Sequence, residues 1–139
     1  MEEICSGLRF PEGPIAMSDG SVILVEIARG TLSRVTPAGA LEVVVDLGGG
    51  PNGAAIGPDG AVYVCNNGGF SWVEIGGRLY PHDRPDDYSG GRIERVDLAT
   101  GAVERLYDTC DDHTLVSPND IVFDRTGGFW FTDLGKSYD

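Results

Sequence analysis

Pro11-Glu12-Gly13-Pro14 decides the fold, because a related quartet returns as Pro51-Asn52-Gly53-Ala54 and again as Pro118-Asn119-Asp120-Ile121. Nine residues after the proline of each quartet stands a glycine, at Gly20, Gly60 and Gly127, preceded by the turn-type residue Asp19, Asp59 or Thr126. Two residues further on an apolar run opens: Val22-Ile23-Leu24-Val25, Val62-Tyr63-Val64-Cys65 and Phe129-Trp130-Phe131-Thr132. Each run ends on a polar residue, Glu26, Asn66 or Asp133. Repetition in register at this period marks stacked or radially arranged units, each too small to bury a core by itself.

Working outward from the first quartet, four short strands are expected over residues 13–17, 22–26, 31–36 and 41–46. Ser18-Asp19-Gly20, Ala28-Arg29-Gly30 and Pro37-Ala38-Gly39 supply the turns between them. Strands joined in this way form an antiparallel meander. Residues 1–10, with Ile4, Leu8 and Phe10 apolar, read as a lead-in strand. The second unit begins 40 residues after Pro11, a blade-like spacing, and the third a further 67 residues on. The extra chain of the second unit falls between Asn67 and Gly91, with a smaller part around Thr109–Val116. This long insertion carries Phe70, Trp72, Tyr80 and Tyr88 among Asp83, Asp86 and Asp87 and several prolines. A long loop of that kind sits over function or is mobile; a lid over a channel mouth and simple packing on a sheet edge are both open for its aromatic residues.

No apolar pattern of helical period and length occurs, so the chain reads as all-β, a β-propeller of four-stranded antiparallel blades. As a single domain over 1–139, it divides into blade 1 (about 11–50), blade 2 (about 51–117, with the insertion 67–90) and the start of blade 3 (118–139). Propellers close with about 4 to 8 blades. About two and a half blades cannot close, and the chain is therefore expected to be the N-terminal portion of a longer protein.

The composition narrows the partners. A formal charge of −12 argues against a phosphate backbone as partner, which needs a basic surface, and makes cations the more natural partners. Cys5, Cys65 and Cys110 are odd in number and far apart, so neither a disulfide framework nor a zinc cluster is indicated. Met1-Glu2-Glu3-Ile4-Cys5 lacks the basic start of a signal peptide, and no run approaches the roughly 18 apolar residues of a membrane helix. A cytoplasmic protein without membrane or nucleic-acid partners is expected.

Blades are related by rotation about a channel, so Glu12, Asn52 and Asn119, at one repeat position, should lie at one height around the axis. A carboxylate and two carboxamides converging there would offer oxygen ligands to a hard divalent cation, with calcium favoured for its tolerance of irregular geometry. Taken singly, each residue has a plainer role in a turn or in solvent; the shared register is what tips the balance. Asp19 and Asp59 belong in outward hairpin turns. His82 and His113 lie in polar loops without a nucleophile motif, and no phosphate-binding or HExxH pattern occurs.

Together, Arg9-Phe10-Pro11-Glu12-Gly13-Pro14, Pro51-Asn52-Gly53 with Gly57-Pro58-Asp59-Gly60, and Ser117-Pro118-Asn119-Asp120-Ile121-Val122-Phe123-Asp124 followed by Phe131-Thr132-Asp133 carry a resemblance. Over its whole length the chain resembles the gluconolactonase and senescence-marker-protein (regucalcin) family of six-bladed propellers and the related diisopropyl-fluorophosphatase-type enzymes. The resemblance implies metal-dependent hydrolysis of a sugar lactone or similar ester, with a divalent metal as cofactor: calcium first, with zinc or magnesium as alternatives. Glu12 then corresponds to a metal ligand, Asn119 to a residue touching metal or substrate, and Asn52 to a substrate-binding position. It also implies an asparagine and an aspartate from later blades, the aspartate serving as base or nucleophile. The catalytic residues are thus expected outside this chain, which alone should be inactive. The alternative is a non-catalytic propeller that binds a ligand or a protein at its mouth.

Overall fold

The computed structural model describes residues 3–136. Its strands follow the repeat. β1 (Pro11–Ala16), β2 (Val22–Glu26), β3 (Thr31–Val35) and β4 (Leu41–Asp46) form a four-stranded antiparallel sheet in chain order. β5 (Pro51–Ile56) and β6 (Val62–Asn66) open the second sheet. The chain then leaves it for a hairpin, β7 (Trp72–Ile75) and β8 (Arg78–Pro81), and returns as β9 (Arg92–Val96) and β10 (Val103–Tyr107) to complete the order β10-β9-β6-β5. A two-residue-per-strand hairpin, β11 (Thr109–Cys110) and β12 (His113–Thr114), precedes the third sheet, which among the described residues is the pair β13 (Pro118–Phe123) and β14 (Phe129–Asp133).

Alternation along the inner strands builds the core. On β6, Val62 and Val64 face the first sheet, where they meet Ile23, Val25 and Leu32. Cys65, the next residue along the strand, turns to the third sheet with Ile93, Leu115 and Ile121, as a period of two requires. Tyr63 wedges into the same layer, its ring 4.9 Å from Phe123 and 5.7 Å from Phe129. Each fully buried aliphatic side chain contributes about 1.5–3 kcal/mol, so the contacts between sheets outweigh anything a single sheet could bury. Burial, reinforced by the Asp120 and Asp133 carboxylates, pushes the Cys65 thiol up to about 12, which makes it an inert core residue.

Two expectations change. Residues 3–10 form no strand; Met1 and Glu2 lie outside the described residues. Phe10 adopts a left-handed φ of 57°, which ends any extended run before it. The segment is instead pinned from outside, Arg9 N donating to Glu26 Oε1 at 2.7 Å and Arg29 Nη2 to the Gly7 carbonyl at 3.0 Å. The insertion 67–90 is likewise not patternless, because Gly76-Gly77, both at positive φ, close the β7–β8 hairpin.

The polar residue ending each second strand has a shared structural role. Glu26, Asn66 and Asp133 pair with Pro11, Pro51 and Pro118 across the ladder. Each accepts a backbone N–H from the segment entering the innermost strand: Arg9 N, Gly50 N and Ser117 N respectively. Glu26 is fully buried. Desolvation opposes its charge, but the Arg9 amide, the Ser33 hydroxyl and Arg29 outweigh it and hold the carboxyl below its ordinary range.

Candidate functional site

The three quartets occupy the innermost strand of each sheet, and each is bulged. One extra residue lies between the paired positions Glu12 and Ile15, Pro51 and Gly53, and Pro118 and Ile121. A bulge at one repeat position re-aims the side chain it carries, a device common beside binding sites. Here it brings the three strands' polar residues to one place. Glu12, Asn52 and Asn119 line a single cleft of about 400 Å³, together with Gly13, Gly53 and Asp120.

Glycine sets how closely these strands approach. A Cβ on Gly13 would stand 2.7 Å from Ala54 N, and one on Gly53 would stand 2.4 Å from the Asn119 carbonyl and 2.6 Å from Asp120 Cα. Each glycine thus lets the next inner strand pack against bare backbone. Gly53→Ala is expected to lower stability by about 1–3 kcal/mol, since only backbone can move to relieve the overlap. Urea unfolding with an unaltered midpoint would show that β5 and β13 are not in this contact.

Within the cleft Asn52 Nδ2 donates to Asn119 Oδ1 at 2.9 Å. This bond joins residues 67 positions apart and restrains both carboxamides. A carbonyl oxygen has two lone pairs, so Asn119 Oδ1 retains acceptor capacity. The Glu12 carboxylate is exposed and forms no hydrogen bond or ion pair among the described residues. Asp120 lines the same cleft, with Oδ1 accepting the Ile121 N–H at 2.9 Å. Its presence was not foreseen, although it stands out in the sequence: it is a carboxylate at the quartet position that is glycine in the first two copies. The donors offered are therefore oxygens, from two carboxylates and two carboxamides. That set suits a hard cation of the calcium or magnesium type, while no group of three or more His, Cys, Asp or Glu is assembled among the described residues.

The remaining polar residues are accounted for locally. Asp19 accepts the Ser21 N–H and hydroxyl at 2.9 and 2.6 Å, which holds its carboxyl below the ordinary range. Asp59 takes Arg95 Nε at 2.7 Å, with the same consequence. His82 is exposed beside Asp83, and His113 is exposed on the β11–β12 hairpin.

Comparison with known proteins bears on the fold and the family. The gluconolactonase of Zymomonas mobilis is 24% identical over 96% of this chain, which covers 35% of that protein. Among solved structures, a gluconolactonase from Xanthomonas campestris superposes with a TM-score of 0.67 at 22% identity, over 91% of this chain and 35% of that one. A virginiamycin B lyase from Staphylococcus aureus superposes with a TM-score of 0.56 at 19% identity, over 92% of this chain and 36% of that one. At such identities the structural likenesses speak for the fold alone, and a lyase among them shows that the fold does not fix the reaction. The chain spans about a third of the length of these relatives. The family model for the SMP-30/gluconolactonase/LRE-like region matches residues 10–139, and the chain belongs to that family.

Proposed function

We propose that the protein of which these strands form part is a divalent-metal-dependent hydrolase of a sugar lactone or similar ester, built as a six-bladed propeller whose channel opens at the Glu12–Asn52–Asn119 cleft. The observation carrying this reading is the convergence of three repeat-position oxygen donors on one cleft, in a chain of the gluconolactonase-like family. Glu12 and Asn119 would hold the cation, with calcium preferred over magnesium or zinc because the donors are all oxygen and irregularly disposed. When bound, such a cation polarises an ester carbonyl and stabilises the developing oxyanion.

This chain's own residues supply binding and orientation. Glu12 brings negative charge to the cleft. Asn52, through its bond to Asn119 Oδ1, orients the Asn119 carboxamide, and both amides offer hydrogen bonds to the hydroxyl groups of a polyhydroxylated substrate. The group that activates water is expected in strands beyond these, so residues 1–139 by themselves should not turn over substrate.

Asn119→Ala in the whole protein removes a neutral oxygen and leaves Asn52 Nδ2 unpaired. Lactone hydrolysis is expected to fall by about two orders of magnitude, as for loss of one oriented polar group at a reaction centre, with metal affinity reduced less. Calcium titration calorimetry beside a pH-stat assay on several lactones checks both. A parent protein that binds neither calcium nor another divalent ion and hydrolyses no lactone would favour a non-catalytic binding propeller instead.

A further inference from the structure

The inserted segment 67–90 touches the chain immediately ahead of two of the three cleft residues. At one end Trp72 packs on Phe10, ring centroids 5.0 Å apart, and Phe10, held at its left-handed φ, leads directly into Pro11-Glu12. At the other end the Tyr88 hydroxyl donates to the Val116 carbonyl at 2.7 Å, and Val116 leads into Ser117-Pro118-Asn119. Between these ends the contacts are continuous. Phe70 lies 6.0 Å from Trp72. Lys136, the sole lysine of the chain and just beyond β14, sits 3.8 Å from the Phe70 centroid and 5.4 Å from that of Tyr88. Its ammonium also donates to the Gly69 carbonyl. The base of the segment is closed by Ser71 and Asp83, whose backbone and hydroxyl groups exchange bonds of 2.8–3.1 Å.

We propose that segment 67–90 is a strap that positions Glu12 and Asn119, by gripping the residues just before each of them and so setting the spacing of β1 and β13 across β5. Trp72 and Tyr88 are its positioning residues. The physical need is plain. Asn52 and Asn119 sit within bulges and Glu12 borders one, each on the innermost strand of a different sheet, where ladder hydrogen bonding is locally interrupted. Among the described residues, only the Asn52–Asn119 bond ties two cleft side chains together, and no comparable side-chain bond holds Glu12. Aromatic packing and a backbone carbonyl acceptor just upstream supply that restraint without entering the cleft; neither Trp72 nor Tyr88 lines it.

The effect on metal binding rests on the function proposed above, whereas the effect on the backbone does not, so the two are read separately. In the whole protein, Tyr88→Phe deletes one hydroxyl and keeps the ring, Trp72→Ala deletes the other anchor, and Trp72→Phe restores an aromatic ring. Hydrogen–deuterium exchange is followed in peptides covering residues 9–16 and 115–123, alongside calcium titration calorimetry. Trp72→Ala is expected to raise exchange at 9–14 and Tyr88→Phe at 115–121, with the β2–β3 ladder unchanged. Each should weaken calcium binding by about tenfold, the range for loss of a group that orients a ligand, and Trp72→Phe should recover most of both. Exchange that stays at the parent level, or that rises uniformly through the chain, overturns the strap. So does raised local exchange with parental calcium affinity. Raised local exchange in a protein whose parent binds no calcium supports the strap and rejects the metal assignment.

Discussion

Glu12→Gln, in the whole protein, is expected to weaken calcium binding by about 100-fold, at the upper end of the 10–100-fold typical of losing a residue that merely supports a ligand, and to reduce lactone hydrolysis in step. The substitution keeps the size and one oxygen and removes the charge. Glu12 is exposed and without a hydrogen-bond partner among the described residues, so nothing in the fold depends on its carboxylate. Stability should therefore stay within about 0.5 kcal/mol of the parent, as for other surface changes. Of the two cleft carboxylates, Glu12 is the one whose side chain has no partner among the described residues, whereas Asp120 accepts the Ile121 N–H of its own strand. Calcium calorimetry and thermal unfolding of the same preparation check the two halves together. Parental affinity in this variant would remove the repeat position from the metal site altogether.

The largest effect on stability is expected from Arg92→Ala. Arg92 and Glu94 are buried, 6% and 5% exposed, on the face of the second sheet turned to the first. Arg92 Nε meets Glu94 Oε1 at 2.6 Å, and its Nη2 donates to the Leu47 carbonyl at 2.8 Å across the gap between sheets. Asn66 Nδ2 donates to the other carboxylate oxygen at 2.9 Å. Removing the guanidinium leaves a charged carboxylate in the interior with one neutral donor, a situation that costs about 3–5 kcal/mol. Exchanging both partners for leucine should cost far less, because the desolvation of two ions is relieved along with their attraction. Urea denaturation of Arg92→Ala and of the double variant separates the two cases; equal losses would mean that the pair is not an ionic unit.

The buried polar cluster is a tertiary device built on a local repeat. Asn66 holds the repeat place of Glu26, and Arg92 and Glu94 hold those of Thr31 and Ser33 in the ladders. In the first sheet the carboxylate is on the second strand and meets hydroxyls, Ser33 Oγ at 2.7 Å. In the second sheet it has moved to the third strand and needs a cation. The charge pattern differs while the task does not: each cluster caps the chain where it enters the innermost strand.

Local pattern was enough for the repeated strands of the three sheets, the turns between them and the repeat position shared by Glu12, Asn52 and Asn119. Those features rest on short-range physics: alternation with a period of two, and the few residue types that tight turns accept. Even the β7–β8 hairpin was announced, by Gly76-Gly77 between Trp72-Val73-Glu74-Ile75 and Arg78-Leu79-Tyr80-Pro81, a two-residue loop overlooked beside the prolines that follow. The packing of the sheets was needed to show that Glu12, Asn52 and Asn119 share one cleft, that Asp120 joins them, and that segment 67–90 reaches from Phe10 to Val116. The reason is that a bulge of one residue and the approach of one bare glycine backbone to another strand set where a side chain points. Neither leaves a mark in local pattern, because the partners stand as far apart in the chain as Asn52 and Asn119, 67 residues, and meet only when the sheets pack.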